Sequence, residues 1–228
     1  MSGPPPFVPE PGQVERLLPM LEMLENDPAS LSSVTEPARA LEVHVLDSLS
    51  GTLVGELEDP DRVVDIGSGA GFPGIPMAVA RPRTEFDLVD SVGRKTDFIR
   101  RVAERLELEN VTALHARTEE LAAGEGREAY PVATARAVAP LAALAELASP
   151  LLRTAGTLVA WKGRRDPGEE EELARVAGRV AIETERVVPV RPFAGSRIRH
   201  LYVLRKTGPT PPDLPRRPGM ARKRPLTG

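Results

Sequence analysis

Short apolar runs alternate with longer amphipathic stretches along most of the chain, starting near Arg62. This alternation is typical of α/β proteins with a parallel sheet. The predicted strands are 62–66, 85–90, 111–114, 131–135 and 157–161. The predicted helices between them are 74–80, 94–106, 141–152 and 169–180.

The pattern changes on both sides of this region. Two strands over 181–188 and 200–204 are separated only by a loop with Pro189, Pro192 and Gly195, which predicts an antiparallel hairpin. Helical spacing over 14–24 and 37–51 predicts a cap before the sheet. We therefore expect an α/β fold with a mostly parallel seven-stranded sheet, a C-terminal antiparallel hairpin and an N-terminal helical cap.

The chain of 228 residues is long enough for one main domain with appendages. Prolines crowd residues 1–12, and because proline fixes φ and lacks an N–H, this segment is predicted to be a disordered leader. The helical cap then covers 13–58 and the α/β domain 59–207. A basic, proline-rich tail over 208–228 is predicted to be extended.

Composition excludes several classes of protein. Hydrophobic residues make up 41%, and neither an apolar run of membrane-spanning length nor a signal segment occurs, so a cytoplasmic protein without membrane contact is predicted. The sequence has no cysteine, which excludes disulfides, zinc–thiolate sites and a thiol nucleophile. No metal site is predicted.

Charge is distributed unevenly. From Val187 to the end there are ten Lys or Arg and a single acid, Asp213, a net charge of +9 in a chain whose total is -3. The remainder therefore carries -12. This asymmetry favours a polyanionic partner bound mostly from one side, with a merely solubilising tail as the alternative.

The strongest local motif follows the first predicted strand, where residues 63–74 read VVDIGSGAGFPG. Glycines allow a ligand to approach the backbone, and the helix that follows offers free N–H groups. By itself this loop is compatible with a dinucleotide site, an adenosylmethionine site or a plain turn.

Two acids refine this interpretation. Asp65 precedes the first glycine, where a carboxylate can hold the ammonium of a methionine moiety through water or backbone groups but would repel a pyrophosphate. Asp90 ends the next strand, where a carboxylate can accept hydrogen bonds from both hydroxyls of a ribose. Asp90 supports an adenosyl nucleoside in either cofactor class, and its alternative interpretation is a solvated strand end.

Later strand ends add further candidates. Thr118 and Glu119 follow the third strand, where an adenine-contacting turn would lie, and Thr118 is equally suited to begin a helix. Arg136 ends the fourth strand and faces the crevice where ligands bind in such sheets. It is predicted to be functional, with a salt-bridged structural arginine as the alternative.

The residues also restrict the chemistry of a methyl transfer. Methylation of a pyrimidine carbon normally needs a cysteine adduct, and the chain has no cysteine. Methylation of exocyclic amines is disfavoured, because residues 136–140 read RAVAP instead of an Asn or Asp followed by two prolines and an aromatic. Guanine N7 has a free lone pair, so its methylation needs alignment but no general base.

Taken together, several motifs resemble the 16S ribosomal RNA guanine-N7 methyltransferases, also called glucose-inhibited division protein B. The likeness extends from about Thr35 to the end of the chain. The motifs are HVLDS at 44–48, VDIGSGAGFPGIP at 64–76, LVDS at 88–91, ARA at 135–137, WKG at 161–163, PRRPG at 215–219 and KRPL at 223–226.

This resemblance implies a class I S-adenosylmethionine methyltransferase with a Rossmann-like domain. The reaction it implies is methylation of N7 of guanine 527, in the 530 loop of 16S rRNA, within the 30S subunit or an assembly intermediate, by a monomer that uses S-adenosylmethionine. By motif and resemblance together, the candidate cofactor contacts are Asp65, Gly67, Gly69, Gly71, Phe72, Asp90, Thr118, Glu119 and Arg136.

The remaining candidates concern the methyl acceptor. Candidates for shaping the guanine pocket are Arg136, Lys162, His44 and Asp47, and the last two have an alternative role in tying the cap to the sheet. Candidate RNA contacts are Lys95, Arg197, Arg199, His200, Arg216, Arg217, Arg222, Lys223 and Arg224.

Three other functions compete with this one. A small-molecule methyltransferase is the main alternative, and the basic C-terminal region argues against it. A nicotinamide-dependent oxidoreductase is disfavoured by the position of Asp65 and by the lack of an evident hydride-relay pair. A non-enzymatic RNA-binding module is disfavoured because aromatic residues make up only 4% of the chain.

Overall fold

Seven strands form one sheet in the computed structural model, which describes residues 3–29, 31–34 and 36–227. In chain order they are β1 Arg62–Ile66, β2 Glu85–Asp90, β3 Val111–His115, β4 Tyr130–Arg136, β5 Leu152–Lys162, β6 Ile182–Val190 and β7 Arg199–Lys206. The spatial order is β3-β2-β1-β4-β5-β7-β6. The first five strands are parallel, and β7 is antiparallel to both of its neighbours.

Helices surround this sheet. They are α1 Gln13–Glu25, α2 Pro37–Ala40, α3 Asp47–Leu49, α4 Gly74–Ala80, α5 Gly93–Arg105, α6 Thr118–Ala123, α7 Leu141–Ala148, α8 Pro167–Val180 and α9 Met220–Lys223. A π-helical turn, Leu41–Leu46, joins α2 to α3. Two 3₁₀ turns, Ser50–Leu53 and Gly55–Leu57, lead from α3 to β1.

Two hydrophobic cores cover the two faces of the sheet. Successive side chains of a strand point to opposite faces, so Val63 enters one core and Val64 the other. The first core also holds apolar residues of α1, the cap, α4 and α5, and the second holds those of α7 and α8. The fold is therefore a three-layer α/β/α arrangement, as the alternating pattern predicts.

The predicted seven-stranded sheet and its antiparallel hairpin are confirmed, and most differences within the α/β domain lie at element ends. The helix predicted over 141–152 ends at Ala148, because Pro150 has no N–H to continue the helical hydrogen bonds. Strand β5 consequently starts at Leu152 rather than Thr157.

The leader is placed against the protein instead of being disordered. The N–H of Phe7 donates to the carbonyl of Arg191 over 2.7 Å, and Pro6 forms a single parallel bridge with Arg191. Phe7 is half-buried against the first core. The prolines lack backbone N–H groups and therefore prevent a regular strand here. Phe7 is not a proline, so its N–H can form this bridge. Met1 and Ser2, and Thr35 where the resemblance begins, lie outside the described residues.

The basic tail is not extended as predicted, because it packs into the second hydrophobic core. Leu214, Ala221 and Leu226 are buried in the second core, and α9 lies within this segment. An extended tail would leave these three apolar side chains in water. Their burial in the core is favourable and therefore stabilises the folded position of the tail. Gly228 lies outside the described residues.

Candidate active site

Two neighbouring cavities open at the carboxyl ends of the parallel strands. The first has a volume of about 290 Å³ and is lined by Ile66, Gly67, Val89, Asp90, Ser91, Val92, Lys95, Arg117, Thr118, Glu119, Ala137, Val138, Leu147, Gly219, Ala221 and Arg222. The second, of about 340 Å³, is lined by Val43, His44, Asp47, Arg136, Ala137, Trp161, Lys162, Gly163 and Arg199. Ala137 lines both cavities, so one residue of the loop after β4 separates them.

The glycine-rich turn forms one wall of the first cavity. Gly67 and Gly69 have φ of 66° and 61°, a region that side chains with a Cβ rarely adopt. A Cβ on Gly67 would also lie 2.8 Å from Cγ2 of Val138. Glycine at position 67 therefore keeps the turn close to the loop after β4, and both Gly67 and Val138 line the cavity. Gly69 and Gly71 are outside the residues that line this cavity.

Asp90 lies at the centre of the cavity wall. Its Oδ1 accepts a hydrogen bond from the N–H of Val92 over 2.9 Å, and its Oδ2 accepts one from the N–H of Gly69 over 3.0 Å. Lys95 Nζ lies 3.5 Å from the same Oδ2. A carboxylate has about four acceptor positions, so Asp90 retains acceptor capacity toward the cavity. These acceptor positions fit a ligand whose paired hydroxyl groups donate hydrogen bonds.

Asp65 is fully buried and lies outside the residues that line the first cavity, so its contact with an ammonium group stays a prediction. Its Oδ1 accepts from the hydroxyl of Thr134 over 2.8 Å, and its Oδ2 accepts from the N–H of Gly74 over 3.2 Å. Burial raises the pKa of this carboxyl to about 6, despite these hydrogen bonds. Asp65 therefore ties the start of α4 to β4 and fixes the shape of the turn.

Thr118 and Glu119 line the first cavity, as their positions after β3 predict. Thr118 is also the first residue of α6, as its alternative interpretation predicts, and the N–H of the preceding Arg117 donates to Glu120 Oε2 over 3.0 Å. Oε1 of Glu119 accepts from the N–H of Gly219 over 2.6 Å. One oxygen of Glu119 is thus occupied by the C-terminal segment.

Arg136 is the centre of a polar cluster in the second cavity. Its NH1 donates to the carbonyl of Val43 over 3.1 Å and to Oδ2 of Asp47 over 3.1 Å. The π-helical turn places the carbonyl of Val43 toward β4. Such turns are frequent at functional sites. The guanidinium also lies 5.2 Å from the centre of the Phe72 ring. Arg136 and Phe72, both predicted to contact the cofactor, lie outside the residues that line the first cavity.

His44 is neutral in this cluster. Its ring stacks on Phe72 with 4.9 Å between centroids, and its Nδ1 lies 3.4 Å from NH2 of Arg136. Burial, and then the charge of Arg136, lowers its pKa to about 4. Because an arginine can only donate, Nδ1 is the acceptor, and Nε2–H donates to Oγ of Ser32 over 2.8 Å.

Lys162 supports the loop between the cavities. Its Nζ lies 2.6 Å from Oε2 of Glu169 and donates to the carbonyl of Ala139 over 3.3 Å. The same Glu169 oxygen accepts from the N–H of Leu141, the first residue of α7. These contacts hold the C-terminal end of the short segment that includes Ala137.

The predicted RNA contacts, apart from Lys95 in the first cavity, fall into two groups. The first group lies around Arg199, the first residue of β7, whose Nε lies 3.9 Å from Oδ1 of Asp47. Arg197 lies two residues before Arg199, and His200 follows it. In the tail the exposed cations are Arg217, Arg222, Lys223 and Arg224.

Arg216 differs from the other cations of the tail. Its guanidinium makes two 2.6 Å hydrogen bonds with the buried carboxylate of Glu146. That pairing gives Arg216 a structural role in the fold, and its contact with RNA stays a prediction.

The family is decided by sequence comparison. A family model described as rRNA small subunit methyltransferase G matches residues 12–202. The chain belongs to this family. Relatives with that same name include one from Pelotomaculum thermopropionicum, 40% identical over 206 residues, which cover 88% of this chain and 84% of the relative. A relative from Deinococcus radiodurans is 40% identical over 225 residues, which cover 96% of this chain and 86% of the relative.

Solved structures agree with the fold of this family. A SAM-dependent methyltransferase from Aquifex aeolicus superposes with a TM-score of 0.58 at 17% identity, covering 79% of this chain and 99% of that one. The mitomycin 7-O-methyltransferase MmcR gives a TM-score of 0.59 at 13% identity, covering 82% of this chain and 60% of that one. The fold is that of a class I S-adenosylmethionine methyltransferase.

Several residues of the two cavities were missed from the sequence. Val138 and Leu147 of the loop and helix after β4 line the first cavity, as do Gly219 and Ala221 of the tail. Trp161 lines the second, and its indole N–H donates to the carbonyl of Asp47 over 2.9 Å. The signal that could have found the tail residues is the set of apolar positions between its cations.

Among the described residues, none of the helices is long and apolar enough to cross a membrane.

The neutral state of His44 predicts a pH-dependent contribution to stability. The pKa of about 4 lies below the ordinary histidine value, so the unfolded chain binds more protons between pH 4 and 6.5. The contribution is complete above pH 6.5 and is lost as the pH falls through 4. We expect the free energy of unfolding of the wild type, relative to His44→Asn, to fall by about 2 kcal/mol between about pH 7 and pH 5.

Urea unfolding of both proteins across this range measures the difference. The buried Asp65 carboxyl changes stability in the opposite direction, but it is common to both proteins and cancels. Parallel pH curves would contradict the burial of a neutral His44.

Proposed function

We propose that the chain methylates N7 of guanine 527 in the 530 loop of 16S rRNA, as a monomer acting on the 30S subunit or an assembly intermediate. The observation that carries this proposal is the pair of cavities that share Ala137. The first cavity contains Asp90, which can accept hydrogen bonds from ribose hydroxyls. The second is lined by the hydrogen-bond donors Arg136, Lys162 and Arg199. Membership of the rRNA small subunit methyltransferase G family supports RNA as the substrate.

The methyl donor is S-adenosylmethionine, which supplies a methyl group carried on a sulfonium sulfur. The residues we propose to hold it line the first cavity. Asp90 accepts from the ribose hydroxyls, and Thr118 and Glu119 lie where the adenine is expected after β3. The backbone of Gly67 allows close approach because no Cβ intervenes.

The second cavity suits the O6 and N7 edge of a guanine. That edge presents only hydrogen-bond acceptors, and Arg136, Lys162 and Arg199 provide donors around the cavity. Asp47, buried at its wall, balances part of this positive charge. We propose that these residues orient the base so that N7 faces the shared wall at Ala137.

No proton has to be removed during this transfer, because N7 of guanine carries none. The structure is compatible with this chemistry, since His44 is neutral and already hydrogen-bonded through both ring nitrogens. The contribution we assign to the chain is therefore alignment of the nucleophile and exclusion of water.

The direct test is tritium transfer from labelled S-adenosylmethionine to 30S subunits from a strain that lacks this gene. Cleavage at N7-methylguanine then maps the label, and subunits from the parent strain serve as the control already methylated. Label at guanine 527 is the expected result. Label at another base of 16S rRNA would overturn the assigned position. No label on RNA, with cofactor binding intact, would favour a small-molecule methyltransferase.

Arg197 offers a test of the RNA-facing surface. It is exposed in the loop before β7, two residues from Arg199 at the second cavity. We expect Arg197→Gln to weaken binding of 30S subunits and to lower the slope of log Kd against log salt by about 1, because one phosphate contact is lost.

Filter binding at several salt concentrations measures this slope. Arg83→Gln is the matched control, since Arg83 is exposed and pairs with Asp59 at the opposite, amino end of the sheet. An equal change of this slope in both variants would mean that the contribution of a positive charge to RNA binding does not depend on its position.

A further inference from the structure

The C-terminal segment 209–227, here called the strap, crosses the first cavity. Three of its residues, Gly219, Ala221 and Arg222, line that cavity. They follow Ala137, the residue shared by the two cavities, by more than 80 positions in the sequence, and they reach the site only through the fold. The strap is therefore part of the cavity wall and not an appendage beside it.

Two polar contacts fasten the strap near the cavity. Oε1 of Glu119, itself a cavity residue, accepts from the N–H of Gly219 over 2.6 Å. Arg216 makes its two hydrogen bonds with Glu146, which is 4% exposed and precedes the cavity residue Leu147. Hydrogen bonds to ionised groups are stronger than neutral ones, so both contacts favour the closed position.

Apolar contacts fasten the strap on either side of these bonds. Leu214 is 2% exposed and Leu226 is 5% exposed, and both lie in the second core. The outer surface differs, because Arg217, Lys223 and Arg224 are exposed to solvent. The strap thus has an inner face that packs on the protein and an outer face of cations.

We propose that the strap is the closing wall of the cofactor cavity, so that cofactor affinity depends on its docking and bound cofactor in turn holds it closed. This inference rests on the proposed function only in assigning the cofactor to the first cavity. The reciprocity follows from linkage, because a ligand that contacts only the closed form shifts the equilibrium toward that form.

The first test weakens strap docking at a residue outside the cavity. Leu226→Ala removes apolar contacts at the end of the strap, and Leu173→Ala is the matched control, since Leu173 is 1% exposed in the same core but belongs to α8. We expect Leu226→Ala to raise the Kd of S-adenosylhomocysteine about tenfold, measured by calorimetry, and Leu173→Ala to lower the melting temperature without this change. Equal affinities for both variants would overturn the proposal.

A second pair of variants tests the backbone of the strap. Gly219 has φ of 82°, and a Cβ there would meet nothing closer than Lys223 Cε at 4.0 Å, so Gly219→Ala introduces strain without a clash. Gly195→Ala is the control, because Gly195 has the same φ of 82° in the β6–β7 loop, with open space around it. We expect only Gly219→Ala to weaken cofactor binding, by about fivefold. Equal weakening by both variants would contradict a specific role of the strap.

Limited trypsin digestion of the wild type measures strap docking directly. Trypsin cuts after Arg222 and Lys223, whereas proline blocks the bonds after Arg217 and Arg224. We expect saturating S-adenosylhomocysteine to slow the strap cuts while the cut after Arg197 continues at its former rate. Unchanged strap cleavage with cofactor bound would overturn the proposal. Because none of these measurements uses RNA, failure of methyl transfer to 30S subunits would leave their outcome intact.

Discussion

Replacement of Asp90 by alanine is expected to raise the Kd of S-adenosylhomocysteine about 100-fold. The variant removes the acceptor for two ribose hydroxyls, and hydrogen bonds to a charged group contribute about 1.5 kcal/mol or more each. It also releases the N–H groups of Gly69 in the glycine-rich turn and of Val92 in the cavity wall, both of which Asp90 holds. Calorimetric titration measures the affinity.

Asp87→Asn is the matched control for Asp90→Ala. Asp87 lies on the same strand but on the opposite face, where its Oδ2 accepts from the hydroxyl of Tyr130 over 2.7 Å and pairs with Arg62 over 2.6 Å. We expect this variant to lower the melting temperature and leave the affinity unchanged. If both variants weakened binding equally, loss of fold would explain the effect and Asp90 would lose its assigned role.

Arg136→Lys is expected to lower methyl transfer to 30S subunits about 100-fold while cofactor affinity stays within about threefold. A lysine ammonium cannot reproduce the fork that contacts Val43, His44 and Asp47 together. The second cavity would lose its shape, whereas the first is lined by other residues. Single-turnover transfer and calorimetric titration separate the two effects.

Arg62→Lys provides the control for that substitution. Arg62 also pairs with a buried carboxylate, that of Asp87, and lies 5.0 Å from the centre of the Tyr130 ring, but at the amino end of the sheet. We expect lower stability with normal methyl transfer. A loss of cofactor affinity in Arg136→Lys as large as the loss of transfer would return Arg136 to the cofactor site.

Local signals were sufficient for most of the fold. The alternation of apolar strands and amphipathic helices depends on side-chain periodicity, which neighbouring residues set by themselves. The glycine-rich turn and Asp90 were found for the same reason, since a motif of this kind occupies adjacent positions after adjacent strands.

Orientation was harder to predict than position. Asp65 was placed correctly at the end of β1, but its carboxylate points to Thr134, 69 residues later, and to Gly74. Phe72 was placed correctly after the turn, but its ring stacks on His44. In both cases the direction of the side chain depends on partners from other elements, which the local pattern does not contain.

The order of strands and helices, the glycine-rich turn and the acid that ends β2 could all be derived from the amino-acid sequence, because each depends on short-range periodicity or steric restriction. Contacts between distant segments instead placed Arg136 in the second cavity, paired Arg216 with Glu146 and brought residues of the basic tail to the wall of the first cavity. Those outcomes depend on desolvation and charge pairing between parts far apart in the chain, as in the bond between Glu119 and Gly219, 100 residues later. Only the folded chain brings such partners within hydrogen-bond distance.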